Sequence, residues 1–274
     1  MATPSATAPA GPRSTRVGGV NWHEGGHGPP LLMLNGWTAS GLVWPEALIG
    51  RLEQSFRVIR IDNRGSGWSR SAPSPFTMTD LADDARSVLH ALGVDRATVL
   101  GFSMGGMIAQ TLAIRHPGLV ERLVLVATSP PAPAHLSADD ETTWQMFRRR
   151  RPGQPLEEYL RNLWTLAAGS AHTTRHPELV DELVRQLVTR PTTRGGAMAQ
   201  ARAAGTWHGP SQLARITAPT VIVHGRMDVL RPVGNAMRIS QLIPGSRYVE
   251  LAEAGHLVPY EAPDVLSLIL EDGA

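Results

Sequence analysis

The stretch Gly101-Phe102-Ser103-Met104-Gly105-Gly106 lies where a run of apolar residues gives way to a helix-length segment. It matches the pattern Gly-x-Ser-x-Gly, in which small residues flank a serine at a sharp turn from strand to helix. Side chains at the flanking positions would collide, and glycine avoids the collision because it has no Cβ atom. The turn would raise the Ser103 hydroxyl out of the sheet and aim the Met104 N–H and the positive helix end at a developing oxyanion. A glycine-rich turn with an incidental serine is the plainer alternative.

On both sides of this turn, short apolar runs alternate with helical patterns along the chain. The runs cover residues 30–34, 56–61, 97–102, 123–127, 219–224 and 247–251. Near-continuous aliphatic runs of this length are typical of buried parallel strands. Helical spacing of apolar residues covers residues 80–92, 103–116 and 264–270. This alternation predicts an α/β fold with a mostly parallel central sheet that is flanked by helices.

One stretch, residues 130–209, breaks the alternation because it contains no clear strand. It opens with Pro130-Pro131-Ala132-Pro133, like a linker, and then shows helical spacing over residues 156–166 and 178–188. We interpret it as a helical cap inserted into one α/β domain, whose two parts are residues 17–129 and 210–274. Residues 1–16 lack the apolar core of a secretory signal and are expected to form a disordered tail.

The sequence contains no cysteine and no lysine, so all 26 permanently cationic side chains are arginine. Without cysteine, a Cys nucleophile, a disulfide framework, an iron–sulfur cluster and a thiolate zinc site are excluded. The absence of lysine likewise excludes a Schiff base, a PLP enzyme, a Walker A phosphate site and a Ser–Lys dyad. Covalent catalysis is therefore left to Ser, Thr, Asp, Glu, His or Tyr.

Charge and hydropathy argue against nucleic-acid and membrane partners. The formal net charge is only +2, and the one basic cluster, Arg148-Arg149-Arg150-Arg151, is typical of a solvated face or loop edge. No apolar run approaches the roughly 18 residues of a membrane span. We expect a cytoplasmic protein, as a monomer or a homodimer.

A serine nucleophile needs a base, and His256 is placed best among the ten histidines. It directly follows the last apolar run, and loops at the carboxyl ends of strands are where an open α/β sheet places its site. Asp228 follows another run and a short turn, which gives the chain order Ser103, Asp228, His256. Asp62 also ends a strand, but it precedes the serine. We therefore predict a triad of Ser103, Asp228 and His256, in which the carboxylate orients the imidazole.

The first apolar run ends at Asn35-Gly36-Trp37, which is the candidate for a second oxyanion donor. Gly36 would let the backbone come close to a ligand, and the Trp37 N–H would complete an oxyanion hole with the Met104 N–H. Asn-Gly is also a common turn pair, and a simple β-turn would place the same residues here.

Together these motifs resemble the α/β-hydrolase superfamily, and within it the bacterial serine esterases and enol-lactonases with a helical cap. The resemblance runs from about residue 17 to the C-terminus. Its anchors are Leu34-Asn35-Gly36-Trp37, Asp62-Asn63-Arg64-Gly65-Ser66-Gly67-Trp68-Ser69, Gly101-Phe102-Ser103-Met104-Gly105-Gly106, His224-Gly225 with Asp228, and Gly255-His256. The family usually has His-Gly where this chain has Asn35-Gly36, and an asparagine can supply the same hydrogen-bonding support to the oxyanion loop.

The resemblance implies a serine hydrolase that cleaves a small-molecule carboxylic ester or lactone through an acyl-enzyme, without metal or cofactor. Haloalkane dehalogenases and epoxide hydrolases carry Asp where this chain has Ser103, and the His-Gly-Gly-Pro-Gly signature of proline iminopeptidases is absent. The same triad also serves cofactor-free perhydrolases and haloperoxidases, C–C bond hydrolases, and biosynthetic lyases or cyclases. These activities, and a catalytically silent ligand-binding protein, are the alternatives.

Five residues are candidates for contact with substrate. Asn35, Gly36 and Phe102 adjoin the predicted oxyanion hole and nucleophile, and Trp144 and Trp164 lie in the predicted cap. Tryptophans at such positions can line an apolar acyl or aromatic pocket. Ordinary helix packing is the alternative for both cap tryptophans.

Overall fold

In the computed structural model, which describes residues 13–14, 19–69 and 74–272, strands and helices alternate along the chain. The strands are β1 (Arg13–Ser14), β2 (Asn21–Gly25), β3 (Pro30–Leu34), β4 (Arg57–Ile61), β5 (Ala97–Phe102), β6 (Val120–Val126), β7 (Thr220–Gly225) and β8 (Arg247–Leu251). The helices are α1 (Glu46–Leu52), α2 (Met78–Ala91), α3 (Met104–Arg115), α4 (Asp140–Phe147), α5 (Leu156–Ala167), α6 (Ser170–Arg175), α7 (Glu178–Thr189), α8 (Arg194–Gly205), α9 (Gly234–Leu242), α10 (Val258–Glu261) and α11 (Pro263–Glu271). Short 3-10 helices lie at Gly67–Ser69, Pro117–Leu119 and Pro210–Arg215.

The strands of the described chain form one sheet in the order β1-β2-β4-β3-β5-β6-β7-β8. The pairings of β2 are antiparallel, and all pairings from β4 across to β8 are parallel. The register sets the carboxyl ends of neighbouring strands level, with Leu34 opposite Gly101 and Phe102 opposite Val126. The loops that follow these strands therefore meet at one edge of the sheet.

Each face of the sheet has its own hydrophobic core, because successive residues of a strand point to opposite faces. In β3, Leu31 and Met33 pack into the core beneath α1 and α11. Leu32 and Leu34 pack into the core beneath α2, α3 and α9. Burial on both faces explains why these strands are near-continuous apolar runs in the sequence.

The predicted fold class, an α/β fold with a mostly parallel sheet flanked by helices, is confirmed. The six predicted runs correspond to β3–β8, and the largest difference is at β6, which begins three residues early at Val120. The prediction missed β2, whose sequence Asn-Trp-His-Glu-Gly is polar and only partly buried. A strand that lies on the antiparallel side of the sheet needs no continuous apolar run, so the sequence carries no signal for it.

Between β6 and β7 the chain forms helices α4–α8, in the stretch predicted as the cap (residues 130–209). Apart from an isolated bridge between Ala132 and His208, the described residues of this stretch contain no strand. Hydrogen bonds from Ala132 N to Trp207 O (3.0 Å) and from Gly209 N to Ala132 O (3.2 Å) join its two ends. We call this closure the neck of the cap.

The tail predicted at residues 1–16 lies outside the described residues, except for Arg13–Ser14, which form β1 and pair with β2. None of the described helices is both long enough and apolar enough to cross a membrane.

Candidate active site

Ser103 occupies the turn between β5 and α3 in a conformation that non-glycine residues rarely adopt. Its φ is 53° and its ψ is −118°. The turn is held by hydrogen bonds from Ser103 N to Val126 O (2.9 Å) and from Thr128 Oγ1 to Ser103 O (2.7 Å). Local strain of this kind persists only where the surroundings over-determine it, and it concentrates at functional sites.

Glycine on both sides of Ser103 is required by the close approach of β3, β5 and α3. A Cβ atom on Gly101 would lie 2.5 Å from the carbonyl oxygen of Gly105. A Cβ atom on Gly105 would overlap the carbonyl oxygen of Leu34. The small residues of the motif therefore have a steric cause in this chain.

The structure brings the three predicted triad residues together from three strand ends. The Ser103 hydroxyl lies 2.9 Å from His256 Nε2, and His256 Nδ1 lies 2.8 Å from Asp228 Oδ2. All three side chains are buried. Because a carboxylate only accepts hydrogen bonds, the proton of the imidazole lies on Nδ1, and Nε2 is left to accept from the hydroxyl.

The Asp228 carboxylate is held ionised by its neighbours. Oδ1 accepts from Leu230 N (2.9 Å) and Arg231 N (2.8 Å), and Oδ2 also lies 3.1 Å from His224 Nε2. Burial by itself would raise the pKa of this carboxyl, but the charges and hydrogen bonds of His256 and His224 outweigh burial and hold the pKa well below its usual range. The residue is therefore a carboxylate at neutral pH.

His224 is a contact of Asp228 that the sequence did not reveal. Its Nε2 lies 2.6 Å from the carbonyl oxygen of Arg231 and 3.1 Å from Asp228 Oδ2. Both partners are acceptors, so Nε2 carries the proton and donates to them. The sequence shows His224 only as the end of an apolar run, whereas the contact depends on the fold of the loop between Gly225 and Arg231.

The loop after β3 comes close to Ser103, as the predicted oxyanion loop would. A Cβ atom on Gly36 would lie 3.2 Å from Ser103 Cβ. Gly36, Trp37 and Met104 all line the cavity that contains Ser103. Within the described part of the chain, neither Trp37 N nor Met104 N donates a hydrogen bond, so both are available to an incoming oxygen.

Asn35 supports this loop from within. Its Oδ1 accepts from Gly36 N (2.7 Å), and its Nδ2 donates to the carbonyl oxygens of Ser40 (3.2 Å) and Val43. The side chain is thus occupied by the loop, although the residue borders the cavity. Asn35 thus supports the backbone of this loop by hydrogen bonding, as the resemblance leads us to expect of the histidine that the family usually has at this position.

A cavity of about 290 Å³ lies above Ser103 and His256, between the sheet edge and the cap. Its walls are mostly apolar and include Phe102 and Trp164, two of the predicted substrate contacts. Trp164 is buried, and the ring of Phe102 packs against that of His256 with centroids 5.2 Å apart.

The structure does not bring Trp144 to this cavity. The side chain is 60% exposed, and the guanidinium of Arg148 lies 5.9 Å from its ring centroid. On α4 it is Thr143, Met146 and Phe147 that border the cavity. Residues three and four apart lie on one side of a helix, which places these three together against the cavity, whereas Trp144 is exposed and lies beside Arg148.

Two buried polar side chains that sequence reasoning missed join the cap to the catalytic loops. On α8, Gln200 accepts from Thr38 N (2.9 Å) and donates to Arg64 O (2.8 Å). Glu261 Oε2 accepts from Gly169 N (3.0 Å) and from Gly255 N (2.8 Å), next to His256. No local sequence signal marks either residue, because Thr38, Arg64 and Gly169 are distant in the chain and Gly255 meets Glu261 only through the fold of the loop between them.

Comparison with known proteins agrees with this geometry. The sequence matches the family described as alpha/beta hydrolase fold over residues 29–263. A 2-hydroxymuconate semialdehyde hydrolase of Pseudomonas putida is 32% identical over 92% of this chain and 89% of its own. A pimeloyl-(acyl-carrier protein) methyl ester esterase of Nitrosomonas europaea is 29% identical over 84% and 90%.

Among solved structures, the enol-lactonase from Burkholderia xenovorans LB400 shares the fold, with a TM-score of 0.77 at 22% identity over 92% of this chain and 95% of that one. The match to the family covers the strand-to-helix turn at Ser103, the cap and the loops of Asp228 and His256. The chain is therefore a hydrolase of the α/β-hydrolase family.

Proposed function

We propose that this protein is a serine hydrolase that cleaves a carboxylic ester or a lactone through an acyl-enzyme. The observation that carries the proposal is the continuous hydrogen-bonded chain from Asp228 through His256 to the Ser103 hydroxyl, at 2.8 and 2.9 Å, in the wall of an apolar cavity. Such a chain activates a hydroxyl that is otherwise a weak nucleophile.

In the proposed first half-reaction, Ser103 Oγ attacks the carbonyl carbon while its proton passes to His256 Nε2. The ionised Asp228 stabilises the imidazolium that forms. The N–H groups of Trp37 and Met104 hold the oxyanion, and loss of one such donor costs about 3–4 kcal/mol in comparable enzymes. His256 then gives its proton to the departing alkoxide, which leaves as the alcohol, and Ser103 keeps the acyl group.

In the second half-reaction, His256 takes a proton from water, and the hydroxide attacks the acyl carbon. The tetrahedral intermediate collapses to the carboxylic acid, and His256 returns the proton to Ser103 Oγ. With a lactone, the alcohol of the first step stays attached to the acyl group, so the product is a hydroxy acid.

The test is hydrolysis of short 4-nitrophenyl esters by wild type and by Ser103→Ala. We expect kcat to fall by at least about 10⁴-fold, as in other enzymes that lose the nucleophile, and labelling by a fluorophosphonate probe to disappear. Ser129→Ala is the matched control, because Ser129 is also buried and its hydroxyl has no partner in the described residues. Turnover and labelling at wild-type levels in Ser103→Ala would refute the assignment.

A second candidate is hydrolysis of a C–C bond, which is favoured by the 32% identity to the Pseudomonas putida hydrolase. In that reaction water would cleave a vinylogous diketone beside its carbonyl carbon to give two smaller products. Turnover rates measured in parallel on esters, lactones and vinylogous diketones, with Ser103→Ala as the blank, distinguish ester or lactone hydrolysis from C–C bond hydrolysis. The ester proposal fails if only the diketones are consumed.

A further inference from the structure

Arg231 gives a positive charge to a cavity wall that contains no negative one. It follows Asp228 by three residues, after β7, and it lines the cavity together with Ser103 and His256. None of the described residues that line this cavity is an aspartate or a glutamate. A mostly apolar pocket with one permanent cation is selective for a ligand with a complementary charge.

The guanidinium of Arg231 has no partner within the described part of the chain. The hydrogen bonds of this residue come from its main chain, with N donating to Asp228 Oδ1 and O accepting from His224 Nε2. Asp228 is the carboxylate whose charge acts on Arg231. Its two oxygens already accept from Leu230 N, Arg231 N, His256 and His224, so all four of its lone pairs are occupied.

This unpaired cation is partly removed from water. Arg231 as a whole is half-buried, and burial lowers the pKa of its guanidinium. Arginine nevertheless remains charged, and a desolvated charge without a partner is costly. The planar guanidinium fork matches a carboxylate in a bidentate geometry, so an anionic ligand would remove this cost.

His135, three residues after Ala132 of the neck, also lines this cavity, and the charge of Arg231 acts on it. The neighbouring backbone is fixed to α9, because the Asn235 side chain binds Leu136 N (2.7 Å) and Leu136 O (2.9 Å), and Arg238 donates to Ala134 O (2.6 Å). Burial, together with the charges of Arg231 and Arg238, lowers the pKa of His135. His135 Nε2 lies 3.3 Å from the Ser137 hydroxyl, so if Nε2 accepts that hydrogen bond, the Nδ1–H of the neutral imidazole can add a second hydrogen bond to an anion.

We propose that Arg231 determines specificity by binding a carboxylate on the substrate, away from the bond that is cleaved. The ester or lactone of this site is then an anion, such as the monoester of a dicarboxylic acid. This inference rests on the proposed function, because it names the substrate class of the same site.

The first test compares two esters of equal acyl length, mono-4-nitrophenyl glutarate, which is an anion, and 4-nitrophenyl pentanoate, which is neutral. We expect the ratio of their kcat/KM values to fall about 10- to 100-fold in Arg231→Gln, the usual effect of losing a charged hydrogen bond. Arg231→Lys should restore part of the ratio. Arg226→Gln is the control, since Arg226 lies on the same loop but is exposed and pairs with Glu250, so the ratio should not change.

The second test does not depend on turnover. Monomethyl glutarate is titrated calorimetrically into Ser103→Ala and into Ser103→Ala with Arg231→Gln, and the added substitution should weaken binding about tenfold or more. Binding that depends on Arg231, without cleavage of either nitrophenyl ester, would refute hydrolysis and leave the anion site standing.

If the neutral ester is cleaved through Ser103 but neither the ratio nor the Kd responds to Arg231→Gln, the anion site is refuted. Arg231 would then only cover the cavity wall with its aliphatic stem. Absence of measurable monomethyl glutarate binding together with absence of an anionic preference would refute it equally.

Discussion

At the scale of single residues, Asp228 shows how surroundings decide the charge of a buried group. Burial alone would raise the pKa of its carboxyl, yet four donors surround its two oxygens and favour the charged form. Two of these donors are main-chain N–H groups of the loop that follows, and the other two are histidines from different strand ends. The sequence indicated the residue and its place in the chain order, but only His256 among these four donors.

The lowered pKa of Asp228 predicts a pH-dependent contribution to stability. A group whose folded-state pKa lies below its ordinary value of 3.8 stabilises the fold above that pH, and the contribution is lost as the pH falls toward the folded-state pKa. The difference in unfolding free energy between wild type and Asp228→Asn should therefore be larger at pH 7 than at pH 3. Urea unfolding at both pH values measures it, and a difference that does not change with pH would contradict the expectation.

Trp164 and Trp144 form a natural pair for testing which tryptophan shapes the acyl site. Trp164 is buried in the cavity wall, whereas Trp144 is 60% exposed outside it. Trp164→Leu should enlarge the cavity and move the preferred chain length of 4-nitrophenyl esters upward by some carbons. Trp144→Leu should leave the preference unchanged. Equal losses on all chain lengths in Trp164→Leu would show that this residue serves packing alone.

At the scale of secondary-structure elements, the turn between β5 and α3 is the most constrained part of the chain. Three elements pass within contact distance of its glycines, so the Gly-x-Ser-x-Gly motif is required by the close packing of the backbone as well as by the position of the serine hydroxyl. The central strands were predictable for a similar reason, since burial on both faces leaves only apolar residues there. Helix α1 and strand β2 gave no comparable pattern, because one is short and the other is polar.

Alanine at Gly105 tests this constraint. Its Cβ atom would overlap the Leu34 carbonyl oxygen, so we expect Gly105→Ala to destabilise the protein by at least about 2 kcal/mol and to remove esterase activity. Gly50→Ala is the control, because Gly50 is exposed on α1 and its Cβ atom would meet nothing within 4 Å. That change should stabilise by about 0.5–1 kcal/mol. Thermal unfolding measures the stability change of both variants. A Gly105→Ala protein as stable as wild type would contradict the steric argument.

At the scale of the whole molecule, the cap and the sheet are joined by buried polar contacts at the site. Gln200 bridges α8 to the oxyanion loop and to the loop after β4, and Trp37 Nε1 donates to Ala197 O at 2.8 Å. On the other side, Gln186 of α7 accepts from Tyr260 (2.6 Å) and donates to Trp44 O (2.8 Å). The helices between β6 and β7 therefore hold the loops after β3 and β4 in place as well as covering them.

Loss of the Gln200 bridge should affect catalysis as well as stability. In Gln200→Leu the partly buried Thr38 N–H and Arg64 carbonyl lose their partner, and an unpaired group costs about 1–3 kcal/mol when it is fully buried, which sets the upper limit for each. Because Thr38 follows Trp37, we expect kcat to fall more than KM rises. Gln145→Leu on α4 is the control, since among the described residues the partly exposed Gln145 side chain bonds to Glu141 of its own helix and to nothing in the site. If kcat/KM is unchanged in Gln200→Leu, the bridge has no part in the oxyanion loop.

The amino-acid sequence predicted the α/β class, which the fold confirms, and it predicted the helical insertion and a triad of Ser103, Asp228 and His256, whose side chains the structure brings within hydrogen-bonding distance. These features follow from local rules: apolar runs mark strands buried on both faces, glycines mark a turn without room for Cβ atoms, and strand ends mark the edge where a site forms. The three-dimensional fold was needed to show that Trp164 borders the cavity and Trp144 does not, and that the Arg231 guanidinium has no partner among the described residues. The contacts of Gln200, and that of Glu261 with Gly169, join segments far apart in the chain, while those of His224 depend on the fold of the loop between Gly225 and Arg231, and no local pattern encodes either.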